Sequence, residues 1–158
     1  MGDGENYDRL IAWNRELTQV HDRLRQLLRI ARDSTRSERD AARRELLLHC
    51  HGFCLALRGH HESEDTGLFP EISARHPQLG PVLDRLKQDH DLVASLLREL
   101  DHSLTRTDNA EQIARHLDGI AAFMESHFRY EVRQLLGALS TLRLTIEPER
   151  LLGPLSAE

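Results

Sequence analysis

The chain has 158 residues, enough for one domain that buries its own core without disulfides or a partner. Only 4% of the residues are aromatic and 30% are charged, with Leu, Ala, Arg and Glu prominent, which argues against a sheet protein and for long amphipathic helices. The formal charge is -5 and basic residues are scattered among acidic ones, so there is no basic stripe for a phosphate backbone and nucleic acid is not an expected partner.

From Tyr7 the apolar residues Leu10, Trp13, Leu17, Leu24, Leu28 and Ala31 recur at threes and fours, predicting a first amphipathic helix to about Arg32. Asp33–Ser37 is a polar break, after which Ser37 or Asp40 can cap a second helix. That helix carries Leu46, Cys50, Phe53 and Leu57 and is expected to run to about Thr66, with Gly67 as terminator. Leu68–Pro77 reads as a short helical connector with Pro70 at its first position. Gly80-Pro81 opens a third helix along Leu83, Leu86, Val93, Leu97, Leu100 and Leu104. Thr107-Asp108-Asn109 breaks it, and Asp108 with Glu111 resembles a capping box for a fourth helix, Ala110 to Leu139, along Ile113, Leu117, Ile120, Met124 and Leu135. The expected architecture is therefore all-α, an up-down-up-down four-helix bundle over residues 1–144, with 145–158 as an irregular tail that packs or frays.

Cys50 and Cys54 share one helix face, read as a reduced, buried pair. Met1 to Glu5 lack the basic start and apolar run of a secretory signal, and no stretch of about 18 apolar residues is present, so neither a membrane span nor export is expected and the cytoplasm follows by default.

Each stripe skips one position where an apolar residue is due, and the occupant each time is histidine: His21, His60, His90 and His127. Two of them are followed one turn later by a carboxylate on the same face, His60 by Glu64 and His127 by Glu131. A single buried histidine is usually a hydrogen-bonded core residue, but two buried carboxylates need cations. Spacing supports a common level. The midpoint of His90 and His127 falls in the break at 108–109 and that of His60 and His90 in the connector, whereas His21 and His60 are offset by about one turn. Four imidazoles and two carboxylates without a thiolate suit two divalent metals, iron before manganese, and Zn or Cu less. The carboxylate-rich pattern of ferritin-type bundles, Glu from two helices and Glu-x-x-His from two others, is missing.

The block His60-His61-Glu62-Ser63-Glu64-Asp65-Thr66-Gly67-Leu68-Phe69-Pro70 resembles the His-His-x-x-Glu-Asp-x-x-Leu-Phe-Pro segment of the hemerythrin-like (HHE) proteins, and the likeness extends over about residues 7–140. The resemblance implies a carboxylate- or oxo-bridged pair of iron ions held by His21, His60, Glu64, His90, His127 and Glu131. The oxygen carriers of that family have His-x-x-x-His on the third helix, but His90 is followed at that spacing by Ala94; their last motif is His-x-x-x-x-Asp, here His127-x-x-x-Glu131. His61 either supplies the absent imidazole or flanks the helix. Tyr130 is either a donor to the site or a core-edge aromatic. Glu62 and Asp65 reach the site only if the second helix is rotated. His49, His51, His76, His102 and His116 fall off the stripes and are expected at the surface.

Three functions compete. A binding or sensing module would take up dioxygen, nitric oxide or peroxide, or report iron. A small oxidase, oxygenase or peroxide-decomposing enzyme would use the same centre with an open position at the Ala94 gap. A metal-free interaction bundle is opposed by the buried carboxylates. The oligomeric state is not legible.

Overall fold

A computed structural model of the chain describes residues 2–35, 40–106, 109–139, 141 and 148–153, without the side chains at 2–11, 14, 40–45, 148 and 149. All regular structure among them is helical: α1 Gly2–Ser34, α2 Asp40–Ser63, a π-helical segment Glu64–Leu68, α3 Phe69–Arg75, a 3-10 turn Pro77–Leu79, α4 Gly80–Thr105, α5 Ala110–Leu139 and α6 Pro148–Leu152. None of the described helices is long and apolar enough to cross a membrane.

The stripes face inward as their periodicity demands. Trp13, Leu17, Leu24, Leu28 and Ala31 of α1 are buried together with Leu46, Phe53 and Leu57 of α2, Leu83, Leu86, Val93, Leu97 and Leu100 of α4, and Ile113, Leu117, Ile120, Met124 and Leu135 of α5. Each fully buried Leu or Phe contributes roughly 1.5–3 kcal/mol. Helix α1 packs against α2 and α5, and α4 against α5 and, less extensively, α2. The cross-helix ion pairs Arg25–Glu125 and Arg32–Asp118 advance along α1 while receding along α5, so these two helices run antiparallel. Tyr7 and Leu10, and the caps sought at Ser37 and Asp40, lie outside the described side chains, although α2 does begin at Asp40.

Two local expectations are corrected. Gly67 does not terminate the second helix. The backbone continues as a π segment, closed by the Phe69 N–H donating to the Glu64 carbonyl, because Pro70 has no N–H to give and its ring would clash with a carbonyl in a continuous α-helix. At the start of α5, Asn109 and Gln112 cap reciprocally. The Gln112 N–H donates to Asn109 Oδ1 at 2.9 Å and the Asn109 N–H to Gln112 Oε1 at 3.0 Å, as in a capping box. The cap expected at Asp108 lies outside the described residues. Finally, Pro148–Leu152 is a helical turn and not irregular, with Leu151 and Leu152 buried and Gly153 closing it at φ +96.

Cys50 and Cys54 are free and buried. Burial, with Cys54 beside it, pushes the Cys50 thiol up to about 12; burial and Asp101, against Arg58, push Cys54 up to about 11. A thiol-specific disulfide reagent at about pH 8 is therefore expected to find neither in the native chain and both after denaturation. Since both folded values lie above the unfolded one, this contribution to stability is intact below about pH 9 and declines as the pH rises toward 11 and 12. Unfolding measured between those limits checks the sign.

Candidate metal centre

Histidines and carboxylates from four helices and the π segment converge in the core. His61, Glu64, His90 and His127 form one group, and His21, His60 and Glu131 a second; within each, one potential ligand atom per residue lies within 4.8 Å of the others. All seven side chains are buried, Glu64 and Glu131 to 0% exposure. The offset foreseen between His21 and His60 is absorbed, their ring centroids lying 5.6 Å apart. On antiparallel helices both side chains lean toward their own N-termini, and so toward each other's level.

The two carboxylates join the groups. Glu131 Oε1 lies 3.6 Å from His21 Nε2 while its Oε2 lies 3.3 Å from His127 Nε2. Glu64 Oε1 is 3.1 Å from His60 Nε2 and 3.5 Å from His90 Nε2. None of the five Nε2 atoms or the four carboxylate oxygens has a hydrogen-bond partner. Orphaned polar atoms at such density in a buried core are costly unless something compensates them, and their common aim fits a cation at each group.

The far sides of three of the rings are satisfied instead. His60 Nδ1–H donates to the Leu152 carbonyl at 2.5 Å, His90 Nδ1–H to Asp65 Oδ1 at 2.9 Å, and His127 Nδ1–H to Asp89 Oδ2 at 3.1 Å. A carbonyl or carboxylate only accepts, so the proton sits on Nδ1 and, in the neutral ring, the Nε2 lone pair points inward as a metal ligand requires.

The charges match. Burial and the neighbouring rings of His90, His60 and His127 hold His61 well below the usual imidazole range. Burial also lowers His21, against Glu131. Burial opposes the protonation of His60, His90 and His127, yet all three are raised, His60 by Glu64, His90 to about 10 by Asp65 and Glu64, His127 by Glu131. Burial opposes the ionisation of Glu131, but the His127 and His21 imidazoles beside it hold its carboxyl well below the usual carboxylate range. The pocket thus attracts positive charge, and a proton or a metal ion at the same Nε2 atoms meets that demand.

Of the open alternatives, His61 falls inside the first group, its ring stacked on His90 at 3.8 Å. Asp65 reaches His90 as its hydrogen-bond partner, while Glu62 is exposed. Tyr130 is a half-buried aromatic at the edge of the core, with Arg85 over its ring at 4.3 Å. His51 and His102 are exposed as expected, and His116 is half-buried. His49 and His76 are half-buried too, bonded to Ser34 at the end of α1 and to Thr141 just beyond α5. Sequence reasoning passed over Asp89 and Leu152. Asp89, beside His90, was detectable only as an acid near a stripe histidine, and a backbone carbonyl leaves no mark in a sequence.

An all-helical chain with two adjoining histidine–carboxylate groups able to hold metal ions is built as a helical cation-binding domain. It belongs to the hemerythrin HHE cation-binding domain family, whose model matches residues 14–139. No curated protein and no solved structure matches the chain.

Proposed function

We propose that the four long helices form an up-down-up-down bundle holding a non-haem di-iron centre, which binds or senses dioxygen, nitric oxide, peroxide or iron itself. The observation that carries this is the set of nine buried, unpartnered ligand atoms divided between two groups. His61, His90 and His127 with Glu64 would hold one ion, His21 and His60 with Glu131 the other, and both carboxylates reach across. Nitrogen and carboxylate donors without a thiolate favour iron, with manganese the weaker fit. Bound iron supplies the redox and Lewis-acid chemistry by which a diatomic or peroxide ligand is taken up.

The chain's own contribution is to orient donors and exclude water. Asp65, Asp89 and the Leu152 carbonyl set the rings, and the unequal sharing of histidines leaves the His21–His60 side with fewer donors and room for an outside ligand. On that side Phe128 stacks on the His21 ring at 4.0 Å and, with Leu24, Leu28, Phe53, Leu57 and Met124 and the charged Arg25, Arg29, Arg32 and Glu125, lines a cavity of about 150 Å³.

Anaerobic ferrous loading is expected to leave about two irons per chain, as counted by elemental analysis. A chain that stays metal-free would overturn the proposal. The open side also favours a second reading, turnover of peroxide or oxidation of a substrate at the same centre. Reversible uptake without sustained turnover selects the first reading, and sustained turnover the second.

A further inference from the structure

The chain beyond α5 returns to the site in steps. Thr141 is held at the connector, where Arg75 Nη1 donates to its carbonyl at 2.6 Å and its hydroxyl meets His76 Nε2 at 2.8 Å. Further on, α6 lies against the π segment and α2, with Leu151 and Leu152 buried. Two glycines permit this approach. A Cβ on Gly67 would stand 2.6 Å from the Arg150 carbonyl oxygen, and one on Gly153 3.0 Å from the His60 Cα, at a backbone φ of +96 that other residues rarely adopt. Contact at backbone distance on both sides brings the Leu152 carbonyl to His60 Nδ1, at 2.5 Å in a buried setting.

We infer that residues 148–153 are a positioning strap for the second metal group, with the Leu152 carbonyl fixing His60 as an Nε2 donor and Gly67 and Gly153 as the residues that let the strap seat. The role toward metal rests on the di-iron reading; the seating of the strap on His60 does not. The group it serves is the one with fewer donors, so loss of the orienting bond should show there first. The other group takes its orienting bonds from Asp65 and Asp89. Loss of such an outer partner typically weakens metal binding about 10–100-fold.

The test uses the full chain carrying Gly67→Ala or Gly153→Ala, neither of which removes a ligand atom. Two readouts are taken: ferrous titration of each chain, and the hydrogen-exchange-protected His60 Nδ1 proton followed by NMR in the metal-free protein. The expected result is a chain that still folds but melts at a lower temperature, loss of the protected proton, and one of two irons bound at least about 10-fold more weakly while the other keeps its affinity. Persistence of the protected proton, or both irons at parental affinity, overturns the strap. If one variant fails to fold, the other decides; if both fail, the segment is a structural element and the positioning role is wrong. If the parent binds no iron, the di-iron reading fails separately, and the Nδ1 proton alone decides whether the strap seats on His60.

Discussion

Glu131→Ala is expected to reduce bound iron from about two per chain to near none, by at least about 100-fold in affinity. One oxygen of Glu131 faces His21 at 3.6 Å and the other His127 at 3.3 Å, so its removal takes a donor from both groups at once. It also removes the negative charge that makes the pocket attract cations, leaving five buried imidazoles with one carboxylate. Glu64→Ala should come close to the same loss, since Glu64 Oε1 faces His60 and His90. His102→Ala and His116→Ala are the controls: both residues lie outside the two groups and should retain all the iron. Elemental analysis after anaerobic loading and gel filtration reads the four variants side by side. Equal retention across them would show that the carboxylates do not hold the metal.

The second large effect concerns the gap at Ala94. His61→Ala is expected to cost about one of the two irons, and adding Ala94→His to that variant to restore it. His61 stacks on His90 at 3.8 Å, in the group with Glu64 and His127, and so occupies the place that a histidine one turn after His90 would otherwise fill. Ala94 shares a pocket of about 360 Å³ with His61 and His90, so an imidazole at 94 has space and faces the same group. Ala94→His alone should therefore change iron content little, since the position is already taken. Failure of the double variant to regain iron, with His61→Ala still folded by circular dichroism, would mean that the two positions address different points. Full iron retention in His61→Ala would mean that His61 is no ligand.

How much of this was present in the sequence differs from element to element. The interrupted stripes located four inward histidines and two carboxylates, because helical periodicity assigns a face to each residue whatever the fold, and a polar residue on a buried face must be accounted for. The α5 limits, Ala110 and Leu139, were legible for the same reason, the stripe keeping its helical period on both sides of His127 and Glu131. The role of His61 was not. Adjacent residues on a helix point about 100° apart, so His60 and His61 cannot both lie at the centre of one stripe, and only packing on three sides shows that both are enclosed. Gly67 read as a helix terminator because local rules associate glycine with chain ends, whereas its use is to admit the Arg150 carbonyl, a contact made by a segment more than 80 positions away.

The sequence by itself determined the helical class, the inward donors and their chemistry, since composition, period and ligand type are local properties of the chain. The tertiary structure alone decided how seven donors divide into two groups, which carboxylate oxygen faces which ring, and what holds the outer nitrogens of His60, His90 and His127. Those depend on distances between atoms far apart in sequence, and in the case of His60 on a main-chain carbonyl that every residue carries and none advertises.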